Sequence, residues 1–195
     1  MRSTRPTRAE LQACQGRTVD DLLPSPLRLL FVGINPGLWT AAVNAHFARP
    51  GNRFWPAMHR AGITAEAVDA SRGLPPEARR ELETAGIGIS NIVPIATARA
   101  DELTTAQLRA GGEALRHLVT RHRPPVVAVL GVTAFRRAFG RPSLAIGHCE
   151  EDFEGSQLWV LPNPSGLNAH ETVDSLAQWY RRAAEAAGVP LHPVV

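Results

Sequence analysis

Two short turns hold the residue types that could do chemistry. The first, Gly33-Ile34-Asn35-Pro36-Gly37, follows the apolar run Leu29-Leu30-Phe31-Val32. Its two glycines permit unusual backbone and the close approach of a ligand, while Pro36 fixes its own φ and restricts Asn35. The turn therefore presents one carboxamide, on Asn35, from a stiff backbone. A carboxamide oxygen can hold a water molecule in line for attack, although it is no general base. The second turn, Asn163-Pro164-Ser165-Gly166-Leu167-Asn168, follows Leu158-Trp159-Val160-Leu161. Taken alone, the first turn also reads as an ordinary Gly/Pro/Asn loop. It has neither the G-x-G-x-x-G spacing nor the Lys-Ser/Thr pair of a phosphate-binding loop.

The elements that must position these turns follow from periodicity. Short apolar runs at 27–34, 88–93, 126–130 and 158–161 read as strands, and helical patterns fall over 52–61, 76–86, 104–121, 133–139 and 171–187. Residues 35–50 read as one long loop, and 144–154 have a hairpin-like look. Strands alternating with helices imply an α/β fold. The expected form is a three-layer α/β/α sandwich around a central, mostly parallel sheet of about four strands. A parallel sheet gathers the carboxyl ends of its strands at one edge, so the two turns can face each other across a cleft. In the last helix Val173, Leu176, Trp179, Tyr180 and Ala183 recur at helical spacing, a core stripe rather than a ligand site.

With 195 residues the chain can bury one sizeable core, and it divides into a polar, Arg-rich arm over 1–24 and a single domain over 25–195. All 21 basic residues are arginine. Coding bias accounts for that simply, yet guanidinium forks suit phosphate and base edges better than ammonium groups do. The net charge of +3 favours an anionic partner only weakly. Cys14 and Cys149 stand far apart, and no Cys/His spacing fits a metal or a disulfide framework. His59, beside the apolar face of a short helix, reads as structural. No apolar run is long enough to span a membrane, and the amino terminus lacks the apolar core of a secretion signal. The expected setting is reduced and cytoplasmic, and the default oligomeric state is a monomer.

GINPG after an apolar strand, Pro50-Gly51-Asn52-Arg53-Phe54-Trp55, Ala110-Gly111-Gly112 within a helix, and NPSGLN after WVLP together resemble the mismatch-specific uracil-DNA glycosylases. These form the Mug/thymine-DNA glycosylase family of the uracil-DNA glycosylase superfamily. The resemblance runs from about Leu27 to Tyr180 and keeps the motifs in order. It implies a bacterial base-excision enzyme that binds double-stranded DNA carrying U·G or a related mismatch. Such an enzyme flips the base out, hydrolyses the N-glycosidic bond with a positioned water, leaves an abasic site, and needs no metal or cofactor. Catalysis falls to Asn35, with Asp101 as the nearest candidate carboxylate. The base pocket falls to Gly33, Ile34, Gly37, Thr40, Phe47 and Asn91. DNA contact falls to Asn163, Pro164, Ser165, Gly166, Leu167 and Asn168, with Leu167 as the apolar wedge that fills the vacated stack. Arg53, Arg49 and Arg99 are expected at phosphates. Each site residue also has a bland reading: core packing for Phe47, a satisfied strand-end amide for Asn91, a helix-terminal acid for Asp101. Ala169 and His170 stand where the family often carries a basic residue, so the choice of opposite base is open. The alternative from another class is a nucleic-acid-binding module on the same fold without turnover; a small-molecule nucleoside hydrolase is a weaker third.

Overall fold

The computed structural model describes residues 5–193. The first four residues of the expected arm and the last two of the expected domain lie outside the described residues. Five strands form the sheet: β1 (Leu29–Gly33), β2 (Ile87–Asn91), β3 (Val126–Leu130), β4 (Gly147–Phe153) and β5 (Ser156–Leu161). Their order is β2-β1-β3-β5-β4, with β4 antiparallel to β5 and every other pair parallel. Around the sheet lie α1 (Arg8–Gln12), α2 (Leu38–Val43), α3 (Phe54–Arg60), α4 (Pro76–Ala85), α5 (Thr105–His122), α6 (Val132–Phe139) and α7 (Val173–Ala186).

The central strands are apolar on both faces because both faces are covered. From β1, Leu29 and Phe31 enter one core with Phe54, Met58, Leu82, Leu176 and Tyr180, which belong to α3, α4 and α7. Leu30 and Val32 enter the other with Leu108, Leu115 and Val119 of α5 and Phe135 of α6. That alternation makes the three-layer sandwich. Each fully buried Leu, Ile or Phe contributes about 1.5–3 kcal/mol through removal from water. Helix boundaries obey local chemistry: α4 starts on Pro76 and stops at Gly86 in the left-handed region, and Thr104 caps α5 in a box with Gln107.

The expected arrangement is corrected at three places. The sheet has five strands, since the hairpin-like stretch supplies the antiparallel edge β4. Its partly exposed face carries His148, Glu150 and Asp152, which blunts the apolar pattern that marks the buried strands. The long loop after β1 contains α2, six residues long and too short to show a helical period. The described part of the polar amino-terminal arm packs against the domain and contributes apolar residues to it. Cys14, Val19 and Leu22 are buried, Leu22 bridges Ile89, and Thr18 bridges Ile95. Single apolar residues five and three apart have no period, so the docking has no sequence signature.

Gly111 shows how tightly α5 sits over the end of β2: a Cβ at this position would run into the carbonyl oxygen of Ile92. Gly112 has more room, with the Phe139 ring 3.2 Å from where its Cβ would lie. Gly111→Ala is therefore expected to destabilise the protein by about 2 kcal/mol or more through overpacking against backbone. Gly112→Ala should cost less, and urea unfolding of the two variants side by side is the check.

Candidate active site

At the carboxyl edge of the sheet the ends of all four parallel strands converge on a cavity of about 140 Å³. Its lining includes Ile34 and Asn35 after β1, Asn91 at the end of β2, Leu130 at the end of β3, and Asn163 and Ser165 after β5. Thr40, His46, Phe47, Arg49 and Asn52, from the loop that contains α2, complete one side, and Thr97, Ala98 and Ala100 complete another. A ligand here sits where open α/β sheets bind theirs, outside strand ends that diverge in topology.

Asn35 is held by its nitrogen. Nδ2 donates to the carbonyls of Pro36 and Ile95, each at 3.1 Å, and to Thr97 Oγ1 at 2.7 Å. Thr97 Oγ1 in turn donates to the Arg99 carbonyl at 2.8 Å. Carbonyl oxygens can only accept, so the orientation of the amide has one solution. The oxygen Oδ1 has no protein donor among the described residues and is open to the cavity. The side chain thus offers one acceptor, pre-aimed, and nothing else.

Asn91 is held the same way by a different group. His46 Nε2 lies 3.0 Å from the Asp20 carbonyl, and His46 Nδ1 lies 3.2 Å from Asn91 Nδ2. Burial pushes the imidazole down from its usual 6.5 to about 4, so the ring is neutral. The Asn91 oxygen packs over Gly33, where a Cβ would come within 2.5 Å of it and within 3.1 Å of the Phe47 ring. Gly33 is therefore required by the amide and the ring beside it. Phe47 itself sits at φ +55°, a left-handed conformation rare for an aromatic residue, and stacks on Phe54 with ring centroids 4.0 Å apart. One face of the ring packs the core, and the residue still lines the cavity.

The second turn is built on Arg53. Its guanidinium donates to the carbonyls of Ser165 at 3.0 Å and Asn168 at 2.9 Å, and its backbone N–H donates to Pro164 at 2.9 Å. Asn168 is consumed inside the turn: Nδ2 donates to the Asn163 carbonyl and Oδ1 accepts from His170 N–H. Gly166 lies against the Gly51 carbonyl, 2.5 Å from where a Cβ would be. Leu167 is thrust outward with 79% of its surface exposed.

Several expected roles change accordingly. Arg53, expected at a phosphate, is the strut of the turn, because the carbonyls of Ser165, Asn168 and, at 3.5 Å, Gly166 converge on its planar fork. Asn168, expected on the partner base, spends both ends of its amide on the turn. The close approach that Gly166 permits is to Gly51. Asp101 does not line the cavity. It is exposed one residue beyond Ala100 and paired with Arg99, whose guanidinium holds the carboxyl below the usual range. Gly33 supports the wall from behind. The structure does bring together Ile34, Asn35, Gly37, Thr40, Phe47, Asn91, Asn163 and Ser165. Sequence reasoning missed Thr97 and His46, the two groups that orient the amides. Both are buried polar residues in loops, and burial is the signal that the sequence lacks. Among the described residues no cluster of His, Cys, Asp and Glu could hold a metal ion, and no helix is long and apolar enough to cross a membrane.

A family model described as the uracil DNA glycosylase superfamily matches residues 21–187. Among solved structures, the chain is similar to the solution NMR structure of a candidate uracil DNA glycosylase from Methanosarcina acetivorans. The two are 16% identical with a TM-score of 0.58, over 86% of this chain and 98% of that one. At that identity the likeness is one of fold.

Two outcomes follow from the geometry. Because the folded state binds the His46 proton more weakly than the unfolded chain, stability is complete above about pH 6.5 and falls as the pH drops toward 4. The loss from this group reaches about 3 kcal/mol at acid pH. Urea titrations of wild type and His46→Gln between pH 7 and 4 should show a shallower decline in the variant. Thr97→Val removes one acceptor that aims Asn35 and should slow the site's reaction about tenfold while leaving the folding midpoint nearly unchanged, a misplacement effect read by single-turnover rates.

Proposed function

This chain belongs to the uracil DNA glycosylase superfamily, and on that premise we propose that it removes uracil, flipped out of a mismatched duplex, by hydrolysis of the N-glycosidic bond. The observation that carries this reading is the Asn35 amide, anchored by its nitrogen with its oxygen free in a cavity between Phe47 and the second turn. A stacked base hides its glycosidic bond, so the enzyme must extrude the nucleotide at a cost of a few kcal/mol. Leu167, exposed at the tip of a braced turn, is shaped to occupy the vacated stack, and Phe47 to cover one face of the extruded base. Loss of the base passes through an oxocarbenium-like state at C1′, by analogy with glycoside hydrolysis. That cation is electrophilic enough that water needs only to be held in line, which Oδ1 of Asn35 can do. Arg49 is the cation of the cavity wall and fits the phosphate beside the flipped nucleotide.

A positioning amide without a general base implies a slow enzyme, since acid–base help is worth about 10²–10⁴-fold. The Asp101 carboxylate lies outside the wall, and its charge is engaged by Arg99. Single-turnover release from a U·G duplex is therefore expected to fall about 10²-fold in Asn35→Ala and less than about tenfold in Asp101→Asn. A larger loss in Asp101→Asn would transfer the chemistry to the carboxylate. Tight duplex binding by wild type with no release of uracil would favour the module without turnover.

A further inference from the structure

A second cleft, of about 500 Å³, opens beside the reaction cavity and is more than three times its size. Gly37, Arg49 and Ala98 line both, so the two are joined. The passage is open at Gly37, where a Cβ would meet nothing within 4 Å. Segments remote in sequence make the apolar walls: Leu11 from α1, Leu38 and Trp39 from α2, and Pro50 from the stretch that leads to α3. Trp39 is half-buried and its only polar atom is engaged, since Nε1 donates to the Ser71 carbonyl at 2.9 Å. What the indole offers the cleft is therefore ring surface. Leu11 is held by the capping box of Thr7 and Glu10 and by the hydrogen bond from Gly16 N–H to the Ala96 carbonyl. The charged groups of the cleft are Arg5 and Arg49, both exposed and without an ion pair among the described residues. Asp69 feels the charge of Arg5, and its carboxylate accepts from Ser71 N–H at 2.9 Å.

From this we infer that the cleft is a second nucleotide site, which takes the unstacked base next to the extruded one and so lets the protein hold uracil in single-stranded DNA. The inference rests on the reading above, that the smaller cavity receives the flipped uracil. A DNA strand repeats phosphate, sugar and base, and the groups here follow that repeat. Arg49, on the wall shared by both sites, fits the phosphate that links the two nucleotides, and Arg5 fits the next one. Between them the ring of Trp39 and the side chains of Leu11 and Leu38 hold a base by stacking and burial, with little regard to its identity. In a duplex the neighbouring base stays paired and stacked, so the cleft adds nothing. In a single strand that base is already free, and no pair has to be opened to fill the cleft. The Leu167 turn then serves the duplex, and the cleft serves the single strand.

The test measures affinity for a short single strand carrying one 2′-fluoro-deoxyuridine, which resists cleavage. Its neighbours are thymidines, replaced on each side in turn by an abasic spacer. Wild type is expected to bind about tenfold more weakly when the spacer replaces the base on one side, the worth of one stacked base. Leu11→Ser should abolish that difference. Arg5→Gln, at an exposed position, should weaken single-strand binding and reduce its salt dependence by about one phosphate contact. Both variants should release uracil from a U·G duplex at the wild-type rate, which also shows that they are folded. Equal affinity of wild type for base and spacer on both sides would overturn the inference, as would a full difference retained in Leu11→Ser. A fall in duplex release that matches the fall in single-strand binding would mean a general effect on the fold and overturn it too. Should wild type release uracil from neither duplex nor single strand, the glycosylase reading fails, and the comparison of base with spacer still decides whether the cleft holds a base.

Discussion

An amide side chain has two chemically opposite ends of nearly the same shape, and the site depends on the fold telling them apart. It does so at Asn35 by surrounding the nitrogen with the carbonyls of Pro36 and Ile95 and the hydroxyl of Thr97. The carbonyls can only accept, and the hydroxyl accepts because its own proton goes to the Arg99 carbonyl, so the side chain has one orientation. The same device recurs at Asn91, with a neutral histidine as the intermediary. In both cases an obligate acceptor at the far end, the Arg99 or the Asp20 carbonyl, propagates a direction into the cavity.

These anchors explain why segments remote in sequence converge. The amino-terminal segment packs along the loop after β2, exchanging backbone hydrogen bonds between Gly16 and Ala96 and between Ala96 and Arg17. That contact places Asp20 under His46 and steadies the stretch that supplies Thr97. On the other side of the cavity Arg53 ties the start of α3 to the turn after β5. A cation spent on three carbonyls holds Leu167 exposed at the tip of a braced turn.

The arginines thus divide by environment. Arg53 is partly buried and structural, whereas Arg99 is exposed and paired with Asp101, an arrangement worth little in water. Arg49, on the cavity wall, combines exposure with position. Composition counts these residues alike; only their surroundings separate a strut from a contact.

The amino-acid sequence by itself determined the α/β alternation and the two turns at strand ends that carry Asn35 and Leu167. Each of these is written in local pattern: an apolar run of strand length, a Gly/Pro turn, a helical stripe such as Leu176, Tyr180 and Ala183. The antiparallel edge strand was weakly marked because its outer side chains are charged, and α2 because six residues carry no period. The tertiary structure alone decided the roles. It showed that Arg53 braces a turn, that Asn168 is used up inside it, that Asp101 lies outside the wall, and that Thr97 and His46 orient the two amides. Those assignments depend on which buried polar atoms meet across the fold, from Asp20 to Asn91 and from Asn35 to Thr97. Hydrogen-bond direction is a property of such meetings, and no spacing along the chain encodes it.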